Sequence, residues 1–180
     1  MFQESSILKE GKMIEKEYLS NVNEVKYKKL FSSLDEIRYK KVLEKDDFKK
    51  LFQMVETIQR WPDPSDPDPD FANDLHATIA ERLGLKVEEY SNLEFYTAVD
   101  SLLDEKGIDA FFKLKLDGKE DMIVSFDLTS NDNKYTTNAD VLVHVPSGYL
   151  LSRKENGKEY LSKVKEVAND IFKKFNNQIN

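Results

Sequence analysis

Residues 108–129 read IDAFFKLKLDGKEDMIVSFDLT and contain two stretches of alternating side chains separated by a turn signal. In the first stretch, one face holds Ile108, Ala110, Phe112, Leu114 and Leu116, and the other holds Asp109, Phe111, Lys113 and Lys115. In the second stretch, one face holds Val124, Phe126 and Leu128, and the other holds Ile123, Ser125, Asp127 and Thr129. A period of two residues is typical of β-strands, and Asp117-Gly118-Lys119 is typical of a tight turn. The segment therefore predicts a β-hairpin.

The register of this hairpin determines which side chains of its polar faces meet. Paired residues in an antiparallel ladder have a constant sum of residue numbers, which is 236 for a three-residue loop and 238 for a loop two residues longer. A sum of 236 places Asp109 opposite Asp127, and a sum of 238 places it opposite Thr129 and diagonal to Asp127. Both registers bring the two carboxylates together, with Cβ atoms roughly 5–8 Å apart.

Two carboxylates that face each other across a sheet repel, so something must offset their charge. A hard divalent ion, Mg²⁺ or Mn²⁺, can do so, because magnesium is held in proteins by one or two carboxylates together with water and substrate phosphate oxygens. The pattern therefore makes Asp109 and Asp127 candidate metal ligands. The alternative interpretation is that both aspartates end their strands at the solvent edge or neutralise Lys113 and Lys115.

The sequence on both sides of the hairpin predicts further strands and helices. Strands are predicted at residues 93–99 and 139–145, and the second of these is apolar on both faces. Helices are predicted at residues 48–58, 70–83 and 155–175 from the spacing of their apolar side chains. Asp46 or Asp47 and Asp70 are the candidate N-caps, and Gly84 is the candidate stop. We interpret His76 as a packed, hydrogen-bonded residue.

These elements predict an α/β fold, which the sequence hardly separates from α+β. The expected architecture is a small mixed sheet flanked by helices, and 180 residues suffice for one such core. Residues 1–60 are expected to form an N-terminal helical extension. Residues 61–70, WPDPSDPDPD, are expected to form a stiff Pro/Asp-rich linker, and residues 71–180 the core.

The composition excludes several classes of function. The chain has no cysteine, which excludes disulfides, thiolate metal sites and thiol nucleophiles and predicts a cytoplasmic location. The mean hydropathy of −0.62 and the short apolar runs predict no membrane partner. Residues 61–146 hold 7 basic and 19 acidic side chains, whereas the flanking segments carry a small positive charge. The acidic middle opposes simple electrostatic capture of nucleic acid.

The two aspartate-bearing strands resemble the motifs of a nuclease family. Gly107-Ile108-Asp109 at the start of one strand and Ser125-Phe126-Asp127-Leu128-Thr129 in the next resemble the PD-(D/E)XK superfamily, which has the restriction-endonuclease-like fold. The resemblance covers roughly residues 70–175 and implies a helix, the hairpin, and then a further helix and strand. It implies that Asp109 and Asp127 are metal ligands. Thr129 stands in the place of the family's lysine, and Lys134 is the candidate replacement. Glu81 is not carried over, because it lies opposite the apolar stripe of its helix.

The resemblance implies a divalent-metal-dependent nuclease that hydrolyses phosphodiester bonds. Lys134 or Thr129 would position the water or the phosphate, and the basic flank would contact DNA or RNA. The residues of that flank are Lys154, Lys158, Lys163 and Lys165. The alternative is a catalytically inactive nuclease-like fold that serves as a protein-binding or assembly module through its N-terminal helices. An acidic small-molecule-binding or toxin-neutralising protein is a third hypothesis, which the sequence neither favours nor opposes.

Overall fold

The computed structural model describes residues 2–30, 34–145 and 152–179. The helices are α1 (Phe2–Leu19), α2 (Glu24–Leu30), α3 (Asp35–Arg38), α4 (Lys45–Thr57), α5 (Asp70–Arg82), α6 (Leu102–Glu105) and α7 (Arg153–Ile179). The strands are β1 (Leu93–Thr97), β2 (Ala110–Leu114), β3 (Met122–Thr129) and β4 (Val141–His144). A 3₁₀ turn, Val87–Asn92, leads into β1. Among these helices, none combines the length and the apolar character that a bilayer crossing requires.

The four strands form one mixed sheet in the order β1-β2-β3-β4. The first three strands are antiparallel, and β4 is parallel to β3. In the hairpin, Ala110 pairs with Phe126 and Leu114 with Met122, so the register with a sum of 236 is the observed one. Gly118 has a φ of +70°, which suits its place in the turn. The predicted mixed sheet flanked by helices is therefore confirmed.

Helices cover both faces of the sheet because both faces carry apolar side chains. On one face, α1, α5 and α7 pack on the alternate residues of β2 and β3 that include Phe112 and Phe126. On the other face, α2, α3, α4 and α6 form a second cluster around Phe111. The apolar stripes of α1 and α4 are buried in these two clusters. Their members are Ile14, Tyr18 and Leu19 from α1, and Leu51, Met54 and Val55 from α4.

The helix ends differ in detail from the predictions. The N-cap of α4 is Glu44, and Asp47 lies in the first turn, where its carboxylate accepts the Glu44 N–H and pairs with Lys40. The N-cap of α5 is Pro69, so Asp70 is already helical. Both predicted aspartate caps were wrong, because a carboxylate inside the first turn also satisfies the free N–H groups and helix dipole. Gly84, with a φ of +71°, ends α5 as predicted.

The outer edge of β1 has its backbone groups occupied by three different parts of the chain. Pro64 accepts the Phe95 N–H at 2.7 Å. The side-chain amide of Gln59 pairs with both the N–H and the C=O of Thr97. The buried ring of His76 lies with Nε2 2.7 Å from the Leu93 oxygen, which confirms the packed histidine. Trp61 stacks on Phe95, so the Pro/Asp-rich segment lies along this edge.

The connection between β3 and β4 contains no helix. Residues 130–140 form turns and irregular structure, held by hydrogen bonds from Thr137 and Asn138 to the backbone before β2. Here the chain departs from the order that the nuclease resemblance implies, in which a helix follows the hairpin. The consequence for the site is direct, because this irregular connection carries Lys134.

Candidate functional site

The two aspartates of the hairpin lie at the end of the sheet where β2 begins and β3 finishes. Asp109 directly precedes β2, and the Asp109 N–H donates to the Phe126 oxygen at 3.0 Å. The Leu128 N–H donates to Asp109 Oδ2 at 2.7 Å. Both aspartates are buried, with 3% of Asp109 and 2% of Asp127 exposed. The register therefore places two carboxylic groups below the surface at one end of the sheet.

Two further carboxylates reach the same place from elements outside the hairpin. Glu15 comes from α1 and Asp104 from α6, and one carboxylate oxygen each from Glu15, Asp104 and Asp109 lies within 4.8 Å of the other two. Asp127 adjoins this group, since its charge acts on both Glu15 and Asp109. We name these four residues, Glu15, Asp104, Asp109 and Asp127, the acidic cluster.

Sequence reasoning did not identify Glu15 and Asp104. Glu15 is separated from the hairpin by more than ninety residues, and nothing in its neighbourhood distinguishes it from other helical glutamates. Asp104 offered a weak signal, because it lies between β1 and β2, five residues before Asp109. Glu81, which was not predicted as a ligand, is exposed on α5.

Two lysines pair with the acidic cluster from its solvent side. Lys134 Nζ lies 2.6 Å from Asp127 Oδ2. Lys12 Nζ lies 2.8 Å from Glu15 Oε2 and 2.6 Å from Asp104 Oδ2. The Asp127 and Glu15 oxygens accept no aligned hydrogen bond, so these contacts are ion pairs. The lysine side chains are 46% (Lys12) and 34% (Lys134) exposed, whereas the carboxylates are nearly covered.

Thr129 lies two residues beyond Asp127 and on the same face of β3. Its hydroxyl accepts the Asn131 N–H at 3.1 Å, and the Asn131 oxygen in turn accepts the Lys134 N–H at 3.0 Å. The threonine thus shapes the turn that returns Lys134 to the sheet end. Two predicted residues, Thr129 and Lys134, are therefore connected through the backbone of Asn131.

The acidic cluster perturbs the protonation of its members. Burial, followed by the charges of Glu15, Asp127 and Asp104, raises the pKa of Asp109 to about 9, and the Leu128 hydrogen bond only partly opposes this. Burial also raises the pKa of Glu15, against the opposing effect of Lys12. For Lys12, burial lowers the pKa, but the hydrogen bonds and charges of Asp104 and Glu15 outweigh it and raise the pKa. Asp109 is therefore protonated at neutral pH unless a cation replaces its proton.

The charges and ligand types of the acidic cluster fit a hard divalent cation. Once a cation replaces the Asp109 proton, four ionised carboxylates with two lysines leave two negative charges for that cation to balance. All the candidate ligand atoms are carboxylate oxygens, which magnesium and manganese prefer. Ligands on opposite sides of Mg²⁺ lie about 4.2 Å apart. Neighbouring ligands lie only about 3.0 Å apart, so the oxygens of Glu15, Asp104 and Asp109, which lie within 4.8 Å of one another, would have to draw together around the ion.

The basic flank proposed from the sequence lies on α7. Lys154 and Lys158 are exposed, Lys165 is exposed, and Lys163 pairs with Glu166 of the same helix. The start of α7 is fastened to α5 by the ion pair between Arg153 and Asp74. Within the described residues, no hydrogen bond or ion pair joins Lys154 or Lys158 to the acidic cluster.

Comparison with known proteins adds no assignment. The chain has no significant match among protein-family models, among curated proteins or among solved structures.

Proposed function

We propose that the protein is a divalent-metal-dependent phosphodiesterase that acts on nucleic acid, with the acidic cluster as its metal site. One observation carries the proposal: Glu15, Asp104 and Asp109 bring oxygens within 4.8 Å of one another at a nearly covered position beside buried Asp127. Carboxylates packed in this way repel unless a cation or protons intervene. The family resemblance of the hairpin supports the same function.

Glu15, Asp104 and Asp109 would hold Mg²⁺ or Mn²⁺, with Asp127 adding charge and a further oxygen. A bound divalent ion would supply Lewis acidity toward a phosphoryl oxygen. Lys134 lies at the solvent side of the cluster, where its ammonium can donate a hydrogen bond to a phosphate oxygen or to the attacking water. Its pairing with Asp127 fixes the position of that ammonium before substrate arrives. Thr129 contributes by shaping the turn that carries Lys134.

The proposed substrate contacts lie on the exposed lysines. The net charge of −7 opposes non-specific adhesion to DNA or RNA, so the phosphate contacts would depend on local positive charge. Lys154 and Lys158 on α7 are the candidates for contacts away from the reacting phosphate. Their substitution should weaken substrate binding without changing the affinity for metal.

Calorimetric titration of Mn²⁺ and Mg²⁺ into the protein tests the metal site directly. We expect saturable binding of about one ion that is lost in Asp109→Asn, and retained in the matched control Glu81→Gln, which removes an exposed carboxylate from α5. The same three proteins are then incubated with single-stranded and double-stranded DNA and with RNA. Ion-dependent cleavage that disappears only in Asp109→Asn supports the proposal. Equal ion binding by all three proteins, or cleavage that survives in Asp109→Asn, contradicts it.

A further inference from the structure

Lys12 occupies the space between two carboxylates of the acidic cluster. Its Nζ lies 2.7 Å and 2.6 Å from the two oxygens of Asp104 and 2.8 Å from Glu15 Oε2. The contacts with Asp104 are hydrogen bonds, and the contact with Glu15 is an ion pair, so one ammonium group bridges both carboxylates. The lysine therefore acts as a tethered cation inside the group of residues that would bind metal.

An ammonium and a divalent ion cannot share this position. Both would need the oxygens of Asp104 and Glu15, and their like charges repel at contact distance, with a repulsion that water screens poorly in a nearly covered site. Binding of metal by these two carboxylates thus requires that Lys12 leaves them. Its side chain is 46% exposed, so its ammonium has a path to solvent.

Other contacts keep α1 in place when Lys12 moves. One turn further along the helix, Lys16 pairs with Asp100 at 2.9 Å. Thr97 Oγ1 donates to the Ser20 oxygen at the end of α1, and the Val22 N–H donates to the Val99 oxygen. Lys12 can therefore leave without the undocking of the helix that carries Glu15.

We propose that Lys12 is an autoinhibitory residue, which holds the metal site closed to divalent ions by pairing with Asp104 and Glu15. The inference rests on the proposed metal site. Binding of the ion displaces the Lys12 ammonium from these carboxylates. The affinity for metal is therefore lower than it would be in the same site without Lys12. Ion binding also releases an ammonium at the rim of the site.

The test compares Mn²⁺ binding by the wild type, Lys12→Met, Lys12→Arg and Lys16→Met. Lys16 is the matched control, since it lies on the same helix, is 49% exposed and pairs with an aspartate outside the acidic cluster. We expect Lys12→Met to lower the Kd for Mn²⁺ by about tenfold or more, a change equivalent to about 1.4 kcal/mol. Lys12→Arg and Lys16→Met should keep the wild-type Kd within about twofold. An unchanged or higher Kd in Lys12→Met overturns the inference.

A measurement on the wild-type protein makes the test independent of whether Lys12→Met folds. The rate at which an amine-reactive acetylating reagent modifies each lysine is followed by mass spectrometry, with and without saturating Mg²⁺. Acetylation of Lys12 should accelerate with the ion while that of Lys16 stays constant. Equal rates at Lys12 under both conditions overturn the inference.

The outcomes separate this inference from the proposed function. Wild-type ion binding that Lys12→Met does not strengthen overturns the inference and leaves the metal site standing. Binding by Lys12→Met alone supports the inference and contradicts the metal requirement of the wild-type protein. Ion binding by neither protein overturns both.

Discussion

Replacing Asp109 with asparagine should stabilise the protein, and the gain should grow as the pH rises. The side-chain oxygen of the asparagine can still accept the Leu128 N–H, and the side-chain amide NH₂ can donate to the neighbouring carboxylates. In the wild type the pKa of Asp109 is raised from 3.8 to about 9, so the folded state keeps a proton that the unfolded state releases. The free energy of unfolding therefore falls with rising pH between these two values.

The magnitude follows from the same linkage. A proton held only by the folded state changes the free energy of unfolding by at most about 1.4 kcal/mol per pH unit. Between pH 5 and pH 8 the free energy of unfolding therefore changes by at most about 4 kcal/mol from this proton. Lys12 and Lys134 can rearrange toward the ionised group, so we expect at least about 1 kcal/mol, or roughly 2–4 °C in Tm for a chain of this size.

Urea denaturation in EDTA, followed by the fluorescence of Trp61, measures this difference. Trp61 is the single tryptophan and is 4% exposed, so its emission reports global unfolding. The experiment compares the wild type with Asp109→Asn at pH 5 and pH 8, and Glu81→Gln is the control for a carboxylate outside the cluster. We expect the difference in the free energy of unfolding between Asp109→Asn and the wild type to be larger at pH 8 than at pH 5. A difference that stays constant or shrinks as the pH rises refutes the proposed protonation of Asp109.

Three further perturbations test the site and the hairpin. Mg²⁺ or Mn²⁺ should raise Tm more at pH 8 than at pH 6, because the ion must displace the Asp109 proton; equal shifts in a thermal melt would contradict this. Lys134→Met should lower the free energy of unfolding by about 1–3 kcal/mol, since it leaves buried Asp127 without its cation, and an unchanged urea midpoint would count against the pairing. Gly118→Ala should lower the free energy of unfolding by about 1 kcal/mol because the φ of Gly118 is +70°, whereas Gly157→Ala in α7 should raise it. Urea midpoints of the two variants that shift in the same direction would contradict this prediction.

The strands could be predicted from the sequence because their side chains alternate. Both hairpin strands have apolar faces that a shift of one residue would expose, so only even register sums were acceptable. The observed sum of 236 then placed Asp109 and Asp127 together. The same alternation left Phe111 on the polar face, and this residue now lies in the second cluster beneath α4.

The remaining half of the site could not be predicted because it depends on packing between distant elements. Glu15 reaches Asp109 only because α1 crosses the end of the sheet, where the Thr97 side chain at the end of β1 holds Ser20 and the Val99 backbone holds Val22. Helical periodicity predicts which face of a helix is buried, but it does not predict which sheet end that helix crosses. The partner of a charged side chain at such a crossing is decided by tertiary structure.

The covering of β1 limits how this protein can associate. An unpaired edge strand is a template on which another chain can add a strand and begin an aggregate. Here Leu93, Phe95 and Thr97 already have partners for their outward backbone groups, in His76, Pro64 and Gln59. A prolyl nitrogen carries no hydrogen, so the proline-rich segment covers the edge without presenting a continuous row of donors of its own. The segment thus helps to prevent extension of the sheet at β1. An incoming β-strand would have to displace the contacts of His76, Pro64 and Gln59 before it could pair with β1.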